Sequence, residues 1–377
     1  MATGIQSSYD LSVGVKINMD EAIYMISPMD TPLLNGVGSD GNTILATESV
    51  DERKFSWMDE EALLPRSLLA AAATTGDAFI TVQSGETLRF STGDMIVVHK
   101  AAGDERLRVT GYGSTTDTLT VTRAYSGTAT NYASAATVVA LGTALAEGSD
   151  PENARSQDRA EYYNLTQIFG PTKVSITRTE QGRAKYGIND ELAHQMYLRM
   201  HEAAIAREQA YIYGVRTEST TTKIRTTGGV DYYISSNADA SSTELTVATI
   251  ATNMAACYDA GGIPDQLWCN PKATADLNSA QDALVQTTNV ETMRGFRRVQ
   301  MVTTEYGDLA IVRNRWIDPL HAFGVTREGI SRRVFDPVTA EKLAKTGDSE
   351  NWMFVGEEGL EVKGQQHMFK MTNLTSY

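Results

Sequence analysis

Cysteine, proline and long apolar runs are all scarce in this chain of 377 residues. Its two cysteines, Cys257 and Cys269, have eleven residues between them. Two thiols in one segment do not make a disulfide scaffold, and they read as buried free thiols in a reducing compartment rather than as a bridge. No stretch reaches eighteen apolar residues, and no basic segment followed by an apolar one opens the chain. The expectation is a soluble protein made in a cytoplasm, without a membrane partner. An excess of positive charge is also missing, since 33 Lys and Arg face 47 Asp and Glu for a formal charge of −14. General affinity for DNA or anionic lipid is not expected on that ground, while local basic patches stay open.

The signatures of catalysis are missing as well. Gly36-Val37-Gly38-Ser39-Asp40-Gly41 matches the dinucleotide pattern, which needs a strand before it and a helix after it to seat a phosphate. Pro32 precedes it and the strand-like Asn42–Thr47 follows. His201-Glu202 opens a zinc pattern whose second histidine is replaced by Ile205, and His194 lies two helical turns from His201. The five histidines are scattered, and neither a nucleophile elbow nor a Walker loop occurs. Glu60-Glu61 and Glu357-Glu358 are adjacent, so in strands each pair points to opposite faces and forms no acid/base dyad. No enzyme, cofactor or metal is expected.

Hydrophobic residues at 41% and charged residues at 21% are ordinary globular values, enough for two or three modest domains. The first 65 residues carry eleven acids against three bases, and Ala22–Ile26 is their only sizeable apolar cluster. Such an arm cannot offset its own chain entropy, so it is ordered against something else, most economically a second copy. Charge sums to −8 over 1–65, zero over 66–146, −6 over 147–285, +3 over 286–335 and −3 over 336–377. The positive stretch is supplied by Arg294, Arg297, Arg298, Arg313, Arg315, Arg327, Arg332 and Arg333. Either these arginines form a solvated face, or they form a basic rim that pairs with the acidic arm of another subunit, which sets register more than affinity.

Residues 66–146 read as a neutral, helix-free block. Five β-type runs (78–82, 95–98, 106–110, 118–122, 137–141) alternate with Gly, Asp and Ser turns, as in a small all-β barrel or sandwich. Beyond the block, 165–170 and 172–177 read as strands broken by Gly170-Pro171. A long helix over 190–213 follows, with Asn189 as N-cap, Gly214 as its end, and a packing stripe of Ala193, Met196, Met200, Ala203, Arg207 and Ala210 widened by Leu192 and Tyr197. Helices are expected over 245–260 and 271–282, strands over 266–269 and 309–312. The end of the chain, 352–374, reads as a strand pair turning near Gly359 or Gly364.

An arm, an extended hairpin, a long helix, a mixed α/β region and a closing strand follow one another in that order. Local strings accompany them: Ser27-Pro28-Met29-Asp30-Thr31-Pro32, Trp57-Met58-Asp59, Thr227-Gly228-Gly229-Val230, Leu343–Asp348 and Gly356–Glu361. Together they resemble the major capsid (major head) protein of tailed bacteriophages, with the Hong Kong 97 type fold, over nearly the whole chain. The resemblance implies an α+β capsid fold. Its parts are an N-terminal arm (1–52), an extension loop region (53–187) interrupted by the β block at 66–146, a peripheral domain (188–229) with a spine helix at 190–213, an axial domain (230–335), and peripheral return strands (336–377). It implies self-assembly into pentamers and hexamers of an icosahedral head, made in the host cytoplasm. The head encloses double-stranded DNA without reading its sequence, and scaffold, portal and decoration proteins are possible partners.

Candidate inter-subunit contacts are Asp51, Glu52, Trp57, Asp59, Glu60 and Glu61 on the arm and loop, and Arg294, Arg297 and Arg298 on the basic stretch. Two other readings stay open. A tail or decoration subunit is one, although a tube protein lacks a long spine helix. A hydrolase with a β accessory domain is the other, disfavoured by the lack of a nucleophile–base set.

Overall fold

Asp190 opens the longest helix, Glu191–Tyr213, its carboxylate accepting from the amides of Leu192 and Ala193 at 2.9 and 3.2 Å. The cap is therefore Asp190, one residue later than expected, because its oxygen reaches the orphan amides of the first turn. The structure, a computed structural model, describes residues 28–36, 43–99, 103–148, 159–183, 188, 190–241, 243–275, 277, 301–345 and 347–375. The chain divides into two units, Met58–Ala160 and Met1–Trp57 with Glu161–Tyr377.

In the larger unit the long helix, about 35 Å from its residue count, lies against a four-stranded sheet. The strand order is Ala46–Ser49, Ile330–Lys342, Ser349–Val362, Gln167–Thr177, with the first pair parallel and the others antiparallel. Leu192 and Met196 cover Val174, Ile176 and Phe354. The buried helix positions are Ala204, Glu208, Tyr211 and Ile212. The expected stripe is thus corrected: Ala193 and Met200 face outward, and the buried face includes a carboxylate that a hydrophobic count passes over. Gly214 does end the helix, donating to Ala210 O at 2.9 Å.

Two further expectations change at the sheet. Gly170-Pro171 does not break a strand; it forms a bulge within the single strand Gln167–Thr177, with Gly170 at a φ of 106°. A Cβ at Gly170 would sit 2.4 Å from Phe354 O, so only glycine fits. Residues 352–374 are not a hairpin either. Ser349–Val362 is one strand running through Gly359, and its hairpin partner is Ile330–Lys342. Gly359 is required by packing rather than by a turn, since a Cβ there would meet the Phe55 ring at 2.8 Å and Leu165 O at 3.0 Å.

The last strand, Phe369–Met371, belongs to a different sheet. Its six strands run in the order Ala238–Asp239, Phe369–Met371, Ala322–Val325, Gln266–Cys269, Gly307–Arg313, Met301–Thr304. The helix Val247–Asp259, opened by a Thr246–Thr249 capping box, places Ile250, Met254 and Cys257 on its core. A division at 335/336 therefore cuts a strand and separates Phe369–Met371 from its sheet. Cys257 and Cys269 are buried and free, and burial pushes both thiols up to about 12. Of the helix expected over 271–282, residues 271–275 and 277 lie among the described residues, and Ala273–Ala275 and Leu277 are helical.

In the smaller unit six strands run in the order Arg66–Leu68, Thr137–Thr143, Asp94–Val98, Glu105–Tyr112, Thr118–Ser126, Phe79–Thr81. An antiparallel bridge between Leu69 and Val82 joins the two outer strands, so the sheet closes on itself around Ile80, Val82, Phe90, Ile96, Leu107, Val109 and Leu119. Closure leaves no long edge exposed to pairing. Inside this unit Glu105 is fully buried. It accepts from Arg123 Nε and Nη2 at 3.0 and 2.9 Å, from Tyr132 Oη at 2.6 Å, and from the Ala124 and Thr130 amides at 2.8 and 2.9 Å. Burial disfavours its charge, but those donors outweigh burial and hold the carboxyl down to about 2.

Candidate assembly surface

The described part of the acidic arm is bound to its own chain. Thr31 and Pro32 lead into the single turn Pro32–Asn35, which buries Leu33. Before it, Asp30 pairs with Arg315 at 3.1 Å, and its carbonyl accepts from Trp316 Nε1 at 2.8 Å. After it, Ala46–Ser49 adds a parallel edge strand to residues 331–334, all four of its side chains exposed. Glu48 pairs there with Arg333. Two arm acids thus meet two arginines of the basic stretch within one copy.

Beneath the arm lies Glu208, fully buried and bonded to Asn314 Nδ2. Burial raises its carboxyl to about 7, opposed by the Leu33 and Leu34 amides and the Asn314 amide, while the charge of Asp30 adds to the rise.

The strand Ser349–Val362 carries a second set of buried charges. Glu358 is fully buried and accepts from Arg207 Nη1 at 3.0 Å, Tyr211 Oη at 2.6 Å, and Arg332 Nε and Nη2 at 2.8 and 2.5 Å. Burial opposes its ionisation, but the Arg332 and Tyr211 bonds and the Arg207 charge hold it below the usual carboxylate range. On the opposite face Glu357 meets Arg225 and Thr166 Oγ1. Glu361 accepts from Ser331 Oγ at 2.9 Å and Arg333 Nε at 2.7 Å. As expected, Glu357 and Glu358 point apart and form no dyad. Glu358 is held by two arginines and Glu357 by one, which suits clamping the helix and strands together rather than proton transfer. Among the described residues no cluster of three metal-binding side chains occurs.

Of the expected contact residues, Asp51 and Glu52 are exposed. Glu60 pairs with Arg159 at 3.3 Å and Glu61 with Arg89 at 3.1 Å, both weak exposed pairs. Trp57 is a correction. It is buried in the chain's own core, its ring 5.4 Å from Tyr233 and 6.3 Å from Phe55, so its indole is not offered to a neighbour. Asp59 is half-buried. Arg294, Arg297 and Arg298, like most of the Gly36–Gly41 pattern, lie outside the described residues. Glu208, Glu358, Arg207 and Tyr211 were not legible as a set. The one signal was an i, i+4 spacing of Glu208 and Ile212 on the helix, masked by the charge.

The comparisons agree with this architecture. The fold matches a structure of Microbacterium phage Oxtober96 with a TM-score of 0.53 at 11% identity, covering 98% of this chain and 99% of that one. It matches the capsid of an empty GTA particle with a TM-score of 0.50 at 10% identity, covering 98% and 100%. Mycobacterium phage Bobi gives 0.50 at 10% identity, covering 98% and 99%. At such identities the likeness shows the fold alone. No curated protein matches the chain. The family model described as SU10 major capsid protein, however, matches residues 2–375. The chain belongs to the SU10 major capsid protein family and is a structural protein of a phage head shell.

Proposed function

We propose that the chain associates into pentamers and hexamers that close as an icosahedral shell around double-stranded DNA, which it does not read by sequence. The observation that carries this reading is the family match across 2–375, on a chain whose segment Ala46–Ser49 is an exposed edge strand. The shared subunit makes similar contacts at slightly different angles, so the arm and extension loop adapt while the long helix and sheets stay rigid. In this reading the four-stranded sheet with the long helix is the peripheral domain, and the six-stranded sheet of the larger unit is the axial domain. Residues 66–146 form a module inserted in the extension loop, serving as decoration, stabiliser or inter-subunit clamp. Scaffold, portal and decoration proteins are further partners, and synthesis is in the host cytoplasm.

Between copies, the acids Asp51, Glu52, Asp59, Glu60 and Glu61 face the basic rim Arg294, Arg297 and Arg298 of a neighbour. Each exposed pair contributes about 0–1 kcal/mol, and repetition over a shell makes assembly depend on salt. Negative-stain microscopy of the purified chain tests the whole reading: closed or partly closed shells or capsomers are expected, and a strict monomer at every concentration and salt overturns it. Reversing Arg294, Arg297 and Arg298 to Glu together tests the rim. Loss of particles with unchanged circular dichroism supports it, and undiminished yield removes it.

A further inference from the structure

Lys54 and Arg216 both lie against the ring of Tyr163, their charged groups 4.1 and 3.9 Å from its centroid. Arg216 is fixed in place. Its Nη1 donates to the Tyr163 carbonyl at 2.8 Å, and its guanidinium lies 5.6 Å from the Tyr232 ring. Gly228 leaves the room for this, because a Cβ there would come 3.1 Å from Tyr232 Cδ1 and 3.3 Å from Arg216 Cβ. The same carbonyl of Tyr163 accepts from Tyr233 Oη at 2.7 Å, which anchors the seat to the core. Beside it Arg53 is offset by Glu218 at 3.5 Å.

Lys54 and Arg216 have no such partner: among the described residues neither forms an ion pair with a carboxylate. Aromatic faces attract both cations but leave their net charge in place. The seat therefore carries two positive charges, with Lys54 itself exposed. A few residues before it in the chain, Asp51 and Glu52 are exposed and likewise without an ion pair among the described residues.

We propose that the seat formed by Lys54, Arg216 and the rings of Tyr163 and Tyr232 receives the Asp51 and Glu52 carboxylates of a second copy. Each copy carries both the seat and the two acids, so every copy gives and receives the contact. Carboxylates of another copy fit better than nucleic-acid phosphate. The chain is acidic overall, at −14, and tethering within an assembly raises the local concentration of its own acids. The contact rests on the shell reading and gives it a second acceptor besides the arginine rim.

The test uses particles assembled from a mixture of isotopically light and heavy chains, treated with a zero-length carbodiimide and mapped by mass spectrometry. Crosslinks from Lys54 to Asp51 or Glu52 that join one light and one heavy chain are expected. Lys54 crosslinks confined to one copy, crosslinks to other acids only, or none, overturn the proposal. Lys54→Glu is expected to lower particle yield severalfold, as is Asp51→Lys with Glu52→Lys, and all three substitutions together restore it. Unchanged yield from Lys54→Glu overturns the contact, and so does protection of Lys54 that is lost when the particles are emptied by nuclease, which assigns the seat to DNA phosphate. Sedimentation separates the two levels. A chain that never associates overturns the shell reading and this contact with it, whereas particles lacking the Lys54 crosslink overturn this contact alone.

Discussion

Asp30 of the acidic arm pairs with Arg315 of the same copy at 3.1 Å. The complementarity between an acidic arm and a basic stretch is thus partly used up inside the subunit, with Glu48 and Arg333 as the second instance. Ala46–Ser49, docked on its own subunit, is a defined edge strand. That lowers the ordering cost of each contact in an assembly.

The carboxyl of Glu208 lies beneath that arm, and its titration sets a direction for stability. Its folded value, about 7, lies above the ordinary 4.5, so the folded state holds the proton more tightly. The stabilisation is complete below the ordinary value and is lost as pH rises through about 7. Melting temperature is expected to fall between pH 5 and pH 8, and Glu208→Gln is expected to flatten that fall. An identical slope in the variant would show that the group does not titrate in this range.

Arg332 and Tyr211 converge on Glu358 in the core. Arg332→Met leaves a buried carboxylate with part of its compensation removed, and is expected to cost about 3–5 kcal/mol. Tyr211→Phe removes one bond to a charged acceptor and is expected to cost about 1.5–3 kcal/mol. Urea midpoints of the two variants check the order as well as the size.

Glu105 gives the opposite pH dependence. Its folded value, about 2, lies below the ordinary 4.5, so its contribution is present above 4.5 and lost as pH falls toward 2. Glu105→Gln is expected to reduce the acid sensitivity of the smaller unit and to destabilise it near pH 7, where Arg123 loses its partner. Limited proteolysis within 66–146 across that pH range reads both effects.

Residues 66–146 are expected to fold without the remainder, since the sheet closes around its own apolar core. Replacing them by a short Gly/Ser linker is expected to leave the helix Glu191–Tyr213 and its sheet intact by circular dichroism. Loss of helix signal on deletion would place the block in the core of the larger unit.

Gly229 ends the Thr227-Gly228-Gly229 string under tight constraint. A Cβ there would lie 2.8 Å from Gly214 N, Ile212 O and Tyr211 O, all backbone atoms. Gly229→Ala is expected to destabilise by about 1–3 kcal/mol or more, because backbone cannot rotate aside as a side chain does. Thermal unfolding of the variant measures it.

The sequence by itself determined what local patterns decide. Short β-type runs between turn signals marked five strands of the smaller unit, and three- and four-residue spacing closed by Gly214 marked the long helix, because each depends only on neighbours along the chain. The order of parts and the local strings that accompany them pointed to the right family. Tertiary structure alone decided the rest. Whether Gly359 is a turn or a strand residue depends on Phe55, far away in sequence, which needs the space a side chain would fill. Which helix face is buried depends on Asn314 and the arm accepting Glu208, and on Arg332 reaching Glu358. Charged residues are read as solvent-facing until the partner that neutralises them is seen, and those partners lie on other strands. That is why the buried carboxylates, the chief clamps of this fold, were the part of the chain least legible from its sequence.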